Sequence, residues 1–380
     1  TSGSTKSYTS SAFSWTNVAS NPSALTVTGT DVAGNDGTQA LTLTADSAAP
    51  TGGALSVAST SGTSGGATAY SKTGTFSGTY TLYSADAGSG FASSTVTKET
   101  ASISGGGTCG AYTSATAPTG GTISETTLAN GCYRYTVTGT DNVGNVGTLR
   151  VIVIVDKTAP TQAFSTTSST AYVSGTTVYY NGSAGSGRSM TLTDSVTDNE
   201  SGPLSVTFPS LGGTTTGWTF TSNTDSGGLG SGATLTFTSN SLSWSLNTTS
   251  SPTMAVVATD SAGNTNTSNL TFTNDVTAPT GGALTAAGFT NTSTSNTSSN
   301  SSWSISTTNY TDAGSGIASN TLTVARANWN GFSCGSYGST TDITGNTSYN
   351  NGGTTGCYQF ILTGTDNVGN TASKTVLVRR

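Results

Sequence analysis

GCYRYTVTGTDNVGN, residues 131–145, is the stretch whose reading decides the fold, and GCYQFILTGTDNVGN, residues 356–370, repeats it. In the first copy Tyr133, Tyr135 and Val137 alternate with Arg134, Thr136 and Thr138. A two-residue period marks a strand with one buried face. Thr suits the outer face, being β-branched and polar. The Asp-x-x-Gly-Asn end then reads as a tight turn, with Asp bonding nearby backbone and Gly supplying positive φ.

Working outward, the D-x-x-G-N box occurs at Asp31, Asp141, Asp260 and Asp366, so its period stays nearly constant along the chain. A second box follows it as ADSAAPT at Asp46, VDKTAPT at Asp156 and NDVTAPT at Asp275. A third reads DAGSG at Asp86 and Asp312, with DNESG at Asp198 as its counterpart. Boxes recurring in one order at one period are the signature of a repeat array.

The repeats are of two kinds. Cys109 and Cys132 have the same spacing as Cys334 and Cys357, and each second Cys lies equally far ahead of its box Asp. The repeat ending at Asp275 has no Cys. Instead Trp244 precedes Asp260 by the same interval that separates Trp15 from Asp31. The expected domains are 1–46, the C-terminal half of a Trp-type repeat; 47–156, a disulfide-type repeat; 157–275, Trp-type; and 276–380, disulfide-type. That order is expected of a window cut from a longer alternating array.

Composition narrows the function. Ser and Thr supply 142 of 380 residues, only 7% are charged, and the formal charge is −6. With no His and three Glu, most acid–base schemes, every Ser-His-Asp arrangement and most zinc or copper sites fall away. No enzyme is expected. Eleven cations argue against a nucleic-acid partner. No apolar run is long enough for a spanning helix.

Short alternating runs such as Leu25-Thr-Val27, Leu41-Thr-Leu43, residues 151–155, Leu235-Thr-Phe237 and Leu270-Thr-Phe272 predict about seven strands per repeat, an immunoglobulin-like β-sandwich. The fold class is all-β: tandem sandwiches, with short linkers stiffened by Pro50, Pro160 and Pro279, giving an elongated rod. The cysteines read as two intradomain disulfides rather than metal ligands, each worth roughly 3 kcal/mol. Disulfides imply an extracytoplasmic location.

Ten of the 14 Asp sit in repeat-specific positions. In a sandwich, the linker, the loop after the second strand and the loop between the last two strands share one pole. Three carboxylates are therefore expected to meet in each complete repeat: Asp46, Asp86 and Asp141; Asp156, Asp198 and Asp260; Asp275, Asp312 and Asp366. Two readings stand. Hard oxygen ligands that would otherwise repel suit Ca2+. Alternatively, the same Asp cap turns through backbone N–H groups. Asp31, without partners, reads as a turn residue.

The V-D-x-T-A-P-T and T-D-x-x-G-N boxes resemble the bacterial Ig-like repeats of giant secreted adhesins and other surface-array proteins, over nearly the whole chain. The resemblance implies cell-surface stalk domains, commonly stiffened by Ca2+ between neighbouring repeats of one chain. This chain departs from that pattern in its low Asp count, its disulfides and its Ser/Thr/Asn content. The alternative is a self-assembling surface-layer, sheath or fibre subunit, in which identical chains are the partners.

Ten N-x-S/T sequons are about what chance gives for 27 Asn in this composition. NTSTSNTSSNSS, residues 291–302, reads as a loop or an edge. Trp218, Trp244 and Trp303 fit buried strand positions, and Trp329, Phe332 and Tyr337 read either as aromatics packed on the disulfide of Cys334 or as a loop patch for glycan or a neighbouring subunit.

Overall fold

A computed structural model describes residues 5–16, 21 and 23–380, and among them every regular element is a β-strand. The chain divides into two compact units, residues 1–103 with 109–157, and residues 104–108 with 158–380.

The first unit contains one complete sandwich. Its larger sheet runs Thr113–Ala115, Phe91–Ala101, Gly131–Asp141, Val146–Val155, Ala67–Ser71. Its smaller sheet runs Thr122–Glu125, Phe76–Thr81, Ala54–Val57, Thr60–Ser61. Gly131–Asp141 is central, antiparallel to both neighbours, and Val146–Val155 pairs in parallel with Ala67–Ser71. The alternation read from the sequence holds: Tyr135, Val137, Val151 and Val153 are wholly buried with Leu55, Val57 and Ile123. Each such side chain contributes roughly 1.5–3 kcal/mol.

The same unit begins with a lone hairpin, Leu25–Thr30 against Asp36–Leu41, exposed along its whole length.

The second unit holds two sandwich cores. One gathers Tyr180, Val196, Val206, Phe208, Phe237, Trp244 and Phe272; there Thr177–Tyr180 pairs in parallel with Thr265–Asn274. The other gathers Trp303, Tyr310, Leu322, Tyr358, Phe360 and Val376. Cys357–Asp366 is its central strand, between Ile317–Ala327 and Thr371–Arg379. Ser295–Thr297, inside the polar tract, adds a parallel edge strand on Thr371–Arg379.

Both expected disulfides are formed, Cys109–Cys132 and Cys334–Cys357. One aromatic near Cys334 departs from expectation. Phe332 is fully out in solvent, while half-buried Trp329 pairs with Cys334 and lies under the Arg379 guanidinium at 4.3 Å. The tight turn at 330–333, held by Asn330 Oδ1 accepting the Phe332 and Ser333 N–H groups, swings Phe332 away from the bridge.

Two tyrosines brace the disulfide-type sandwiches. A Cβ at Gly53, Gly139 or Gly147 would fall within 2.9 Å of the Tyr83 ring. Gly282 and Gly364 make the same bed for Tyr310. Each ring lies just ahead of a DAGSG box and fixes where that loop leaves the sheet.

Candidate functional site

The D-x-x-G-N box forms the same Asp–Asn clasp at every occurrence. Asp141 Oδ1 accepts the N–H groups of Val143 at 2.9 Å and Asn145 at 2.8 Å. Its Oδ2 accepts Asn145 Nδ2 at 2.6 Å. Asp366 repeats this with Val368 and Asn370, and Asp31 with Ala33 and Asn35. Asp260 holds Asn264 through both its backbone N–H and its side chain. The turn-capping reading is therefore realised in all four boxes. Gly144 and Gly369 take φ of 95° and 89°, which a side chain would strain.

The pole is then assembled around the box. Asn145 Nδ2 also donates to the Asp46 carbonyl at 3.1 Å, drawing the linker in. Asp46 Oδ2 accepts the Ser89 N–H at 2.6 Å, and Oδ1 that of Ala48 at 3.0 Å. Asp86 Oδ2 accepts Gly88 and Gly90 N–H groups at 3.0 and 2.9 Å. Asn142 Nδ2 ties the two loops by donating to the Ser89 carbonyl at 2.9 Å. Every link recurs in the last repeat: Asn370 to the Asp275 carbonyl, Ser315 N–H to Asp275, Gly314 and Gly316 N–H to Asp312, and Asn367 to the Ser315 carbonyl.

The structure thus brings together Asp46 with Asp86 and Asp141, and Asp275 with Asp312 and Asp366. In each set, one carboxylate oxygen per residue lies within 4.8 Å of the others. That span is about twice a Ca2+–oxygen distance of ~2.4 Å, so any two of these oxygens can share one ion, and a closing-in of a few tenths of an ångström brings the third to it. Hard oxygens with no thiolate or imidazole nearby suit Ca2+ or Mg2+ and not Zn2+. Capping leaves room for this, because Asp86 and Asp312 engage the amides through Oδ2 alone. Asp198 and Asp260 approach each other similarly in the second unit; Asp198 Oδ1 accepts the Glu200 and Gly202 N–H groups. Asp156 closes the strand Val146–Val155 of the first unit, wholly buried, with its N–H on the Ser71 carbonyl at 3.0 Å.

The two sets differ electrostatically. The Ser89 backbone bond, then the Ser89 side chain, hold the Asp46 carboxyl below its ordinary value. Burial pushes Asp141 up, but its bonds to Asn145 and Val143 outweigh it and leave a net lowering. In Asp366 burial wins over the same bonds, with the Asp275 charge adding to it, and the carboxyl is raised.

Sequence reasoning missed several contributors. The box Asn side chains, Asn145 and Asn370, knit the pole together; their fixed place in the motif was the available signal. Asn181 donates to Asn370 Oδ1 at 2.8 Å and to the Val368 carbonyl at 3.4 Å, with no motif to announce it. Asp194 is wholly buried, bonded to Gln162 at 2.7 Å, and burial pushes its carboxyl up to about 6; it lies outside every box.

No protein-family model matches the chain, and no curated protein matches it. Among solved structures, the chain is similar to one described as a 1.5-MDa bacterial ice-binding adhesin, at 17% identity and TM-score 0.25, covering 88% of this chain and 98% of that one. It is similar to a tetra-tandem repeat from the extending region of a large adhesion protein, at 17% identity and TM-score 0.27, covering 95% and 82%. Fibronectin(III)-like modules of Clostridium thermocellum CbhA share 14% identity at TM-score 0.23, covering 55% and 90%. The fold assignment rests on the strand order and cores described above.

Proposed function

We propose that the chain is a non-enzymatic, extracellular structural repeat region of a bacterial surface protein, acting as a stalk or spacer whose repeats are stiffened by Ca2+. One observation carries the reading: the same three-carboxylate pole, with the same loop ties, is built in both disulfide-bearing sandwiches. Asp46, Asp86 and Asp141, and Asp275, Asp312 and Asp366, are the proposed ligands. An ion bound there would offset most of the charge of the three carboxylates and join the linker to two loops of the sandwich it enters. Support for the setting comes from the repeat boxes, the two disulfides, which belong in an oxidising compartment, and a composition without His.

Low charge, 7% of residues, favours a second reading, lateral assembly of identical chains into a layer, sheath or fibre, because it weakens repulsion between copies.

Melting and light scattering of the full chain in Ca2+ and in EGTA test both. A monomer that melts about 10 °C or more lower in EGTA is the result expected for a stalk. Ordered assembly on adding Ca2+ would select the lattice reading. Identical melting in both buffers would remove the ion and leave the carboxylates as turn caps.

A further inference from the structure

Resting on the ion-binding reading of the two carboxylate poles, we infer that the serine of each DAGSG box, Ser89 and Ser315, supplies a neutral hydroxyl ligand to the cation there, and with it a preference for Ca2+ over Mg2+.

Both serines sit where the three segments of a pole meet. The Ser315 N–H donates to Asp275 Oδ2 at 2.7 Å, and its carbonyl accepts Asn367 Nδ2 at 2.7 Å. Its neighbours Gly314 and Gly316 donate to Asp312 Oδ2. One residue therefore touches the linker and the box loop, while its own loop is held by the third carboxylate. Ser89 repeats each link: its N–H on Asp46, Asn142 on its carbonyl, and Gly88 and Gly90 on Asp86. Packing leaves this loop no slack. A Cβ at Gly314 would fall 2.5 Å from Asp275 Oδ2, and one at Gly88 would strike the Asp46 carboxylate.

With both backbone groups committed, each serine has only its hydroxyl left to use. Ser315 is 4% exposed, and its Oγ has no hydrogen-bond partner among the described residues. Ser89 Oγ is equally enclosed and makes no hydrogen bond, though it stands near enough to the Asp46 carboxyl to help hold it below its ordinary value. A buried hydroxyl left unpaired costs stability, and native structures seldom carry one without a water or an ion to meet it. Here the same atom is left over at the same place in two sandwiches, beside the same three carboxylates.

The Trp-type repeat supplies a contrast. Ser201 holds the equivalent place in DNESG, and its Oγ accepts the Ala262 N–H at 3.2 Å. In the disulfide-bearing sandwiches the matching N–H groups, those of Val143 and Val368, go to the box carboxylates instead. That exchange releases the serine oxygen for another partner.

A cation suits that oxygen. Ca2+ takes roughly 6–8 oxygens in flexible geometry, whereas Mg2+ keeps several waters and takes few protein ligands. Three carboxylates already outweigh one divalent charge, so a further ligand is best neutral. A fourth protein oxygen of this kind favours Ca2+ without adding repulsion.

Hydrogen exchange of the Gly314 and Gly316 amides, and of Gly88 and Gly90, reads each pole separately in the full chain titrated with Ca2+ or Mg2+. Ser315→Ala should weaken Ca2+-dependent protection at the last pole on the order of tenfold, weaken the Mg2+ response less, and leave the pole at Asp46 unchanged. In EGTA the variant should melt no lower than the unmodified chain, because it removes an unpaired polar atom. Ser315→Cys should lose Ca2+ affinity yet bind Cd2+ with a thiolate charge-transfer absorption, the signature of direct ligation. Equal Ca2+ affinity in the unmodified chain and in Ser315→Ala would overturn the hydroxyl ligand while leaving the ion in place. A lower melting temperature for Ser315→Ala in EGTA would also overturn it, by making the hydroxyl a structural tie. No Ca2+-dependent protection at either pole of the unmodified chain would remove the ion itself, and the serine ligands with it.

Discussion

The loops after Asp141 and Asp366 share the sequence Asn-Val-Gly-Asn and the same internal hydrogen bonds, yet Val143 stands in solvent and Val368 is buried. Both carboxylates are themselves only 2% exposed, so direct contact with water does not separate them. What differs is the protein beyond the loop. The last pole has a complete repeat folded over it through Asn181; the first has only the hairpin. Deeper surroundings disfavour the charged form, and the Asp366 carboxyl moves up where the Asp141 carboxyl moves down. A motif sets the local bonds, and its neighbour sets the energy of the charge those bonds hold.

The largest test of this contrast is ion removal. Three carboxylates in the more enclosed pole gain most from a cation. A site filled at a thousand times its dissociation constant contributes about 4 kcal/mol. EGTA, or Asp366→Asn, should therefore destabilise the last repeat more than EGTA or Asp141→Asn does the repeat at 47–156, read by hydrogen exchange in each. Equal losses would break the comparison.

The disulfides sharpen it as a control. Replacing Cys109 and Cys132 by Ala, or Cys334 and Cys357 by Ala, should cost about 3 kcal/mol in either case, because both close loops of the same length. Denaturant melts that differ by much more than about 1 kcal/mol would show that the two sandwiches are not equivalent hosts.

Acid separates the poles by sign. Measured without divalent ions, a lowered carboxyl such as Asp141 lends stability that is present above its ordinary value of 3.8 and lost as pH falls. A raised one such as Asp366 works oppositely: stability falls as pH rises from 3.8 through its folded value. Asp194, pushed up to about 6 by burial, adds a slope of the same sign in the neighbouring Trp-type repeat. Asp194→Asn should remove it, raising stability at pH 7 by up to about 3 kcal/mol. Melts from pH 4 to 7 that keep their slope in this variant would disprove the assignment.

The smallest expected effect is the most local. Asn181→Ala removes the bonds to Asn370 and the Val368 carbonyl, costing about 1 kcal/mol. It should shift the Asp366 titration, followed by carboxyl NMR, towards that of Asp141, and leave Asp141 untouched. An unmoved Asp366 would show that the overlying repeat is not the source of the difference.

Much of this architecture was legible in the chain, for identifiable reasons. Strand alternation, the glycine turns and the cysteine spacing express short-range rules, and Tyr133, Tyr135 and Val137 are buried as their positions indicated. The carboxylate groupings followed from topology once the loops were ordered. Asn181 and Asp194 were not legible: their importance depends on what lies across from them, and neither belongs to a repeated box. Phe332 departs from expectation for the same reason, since a short turn beside the disulfide decides its direction.

By itself, then, the sequence determined the all-β sandwiches and the disulfide partners, because each is written as a period or a spacing along the chain. Only the tertiary structure decided which pole is enclosed, which aspartate is forced towards its neutral form, and that the core-type residues of the opening hairpin face water. Burial and desolvation are properties of the whole surroundings of an atom, and elements distant in sequence supply them.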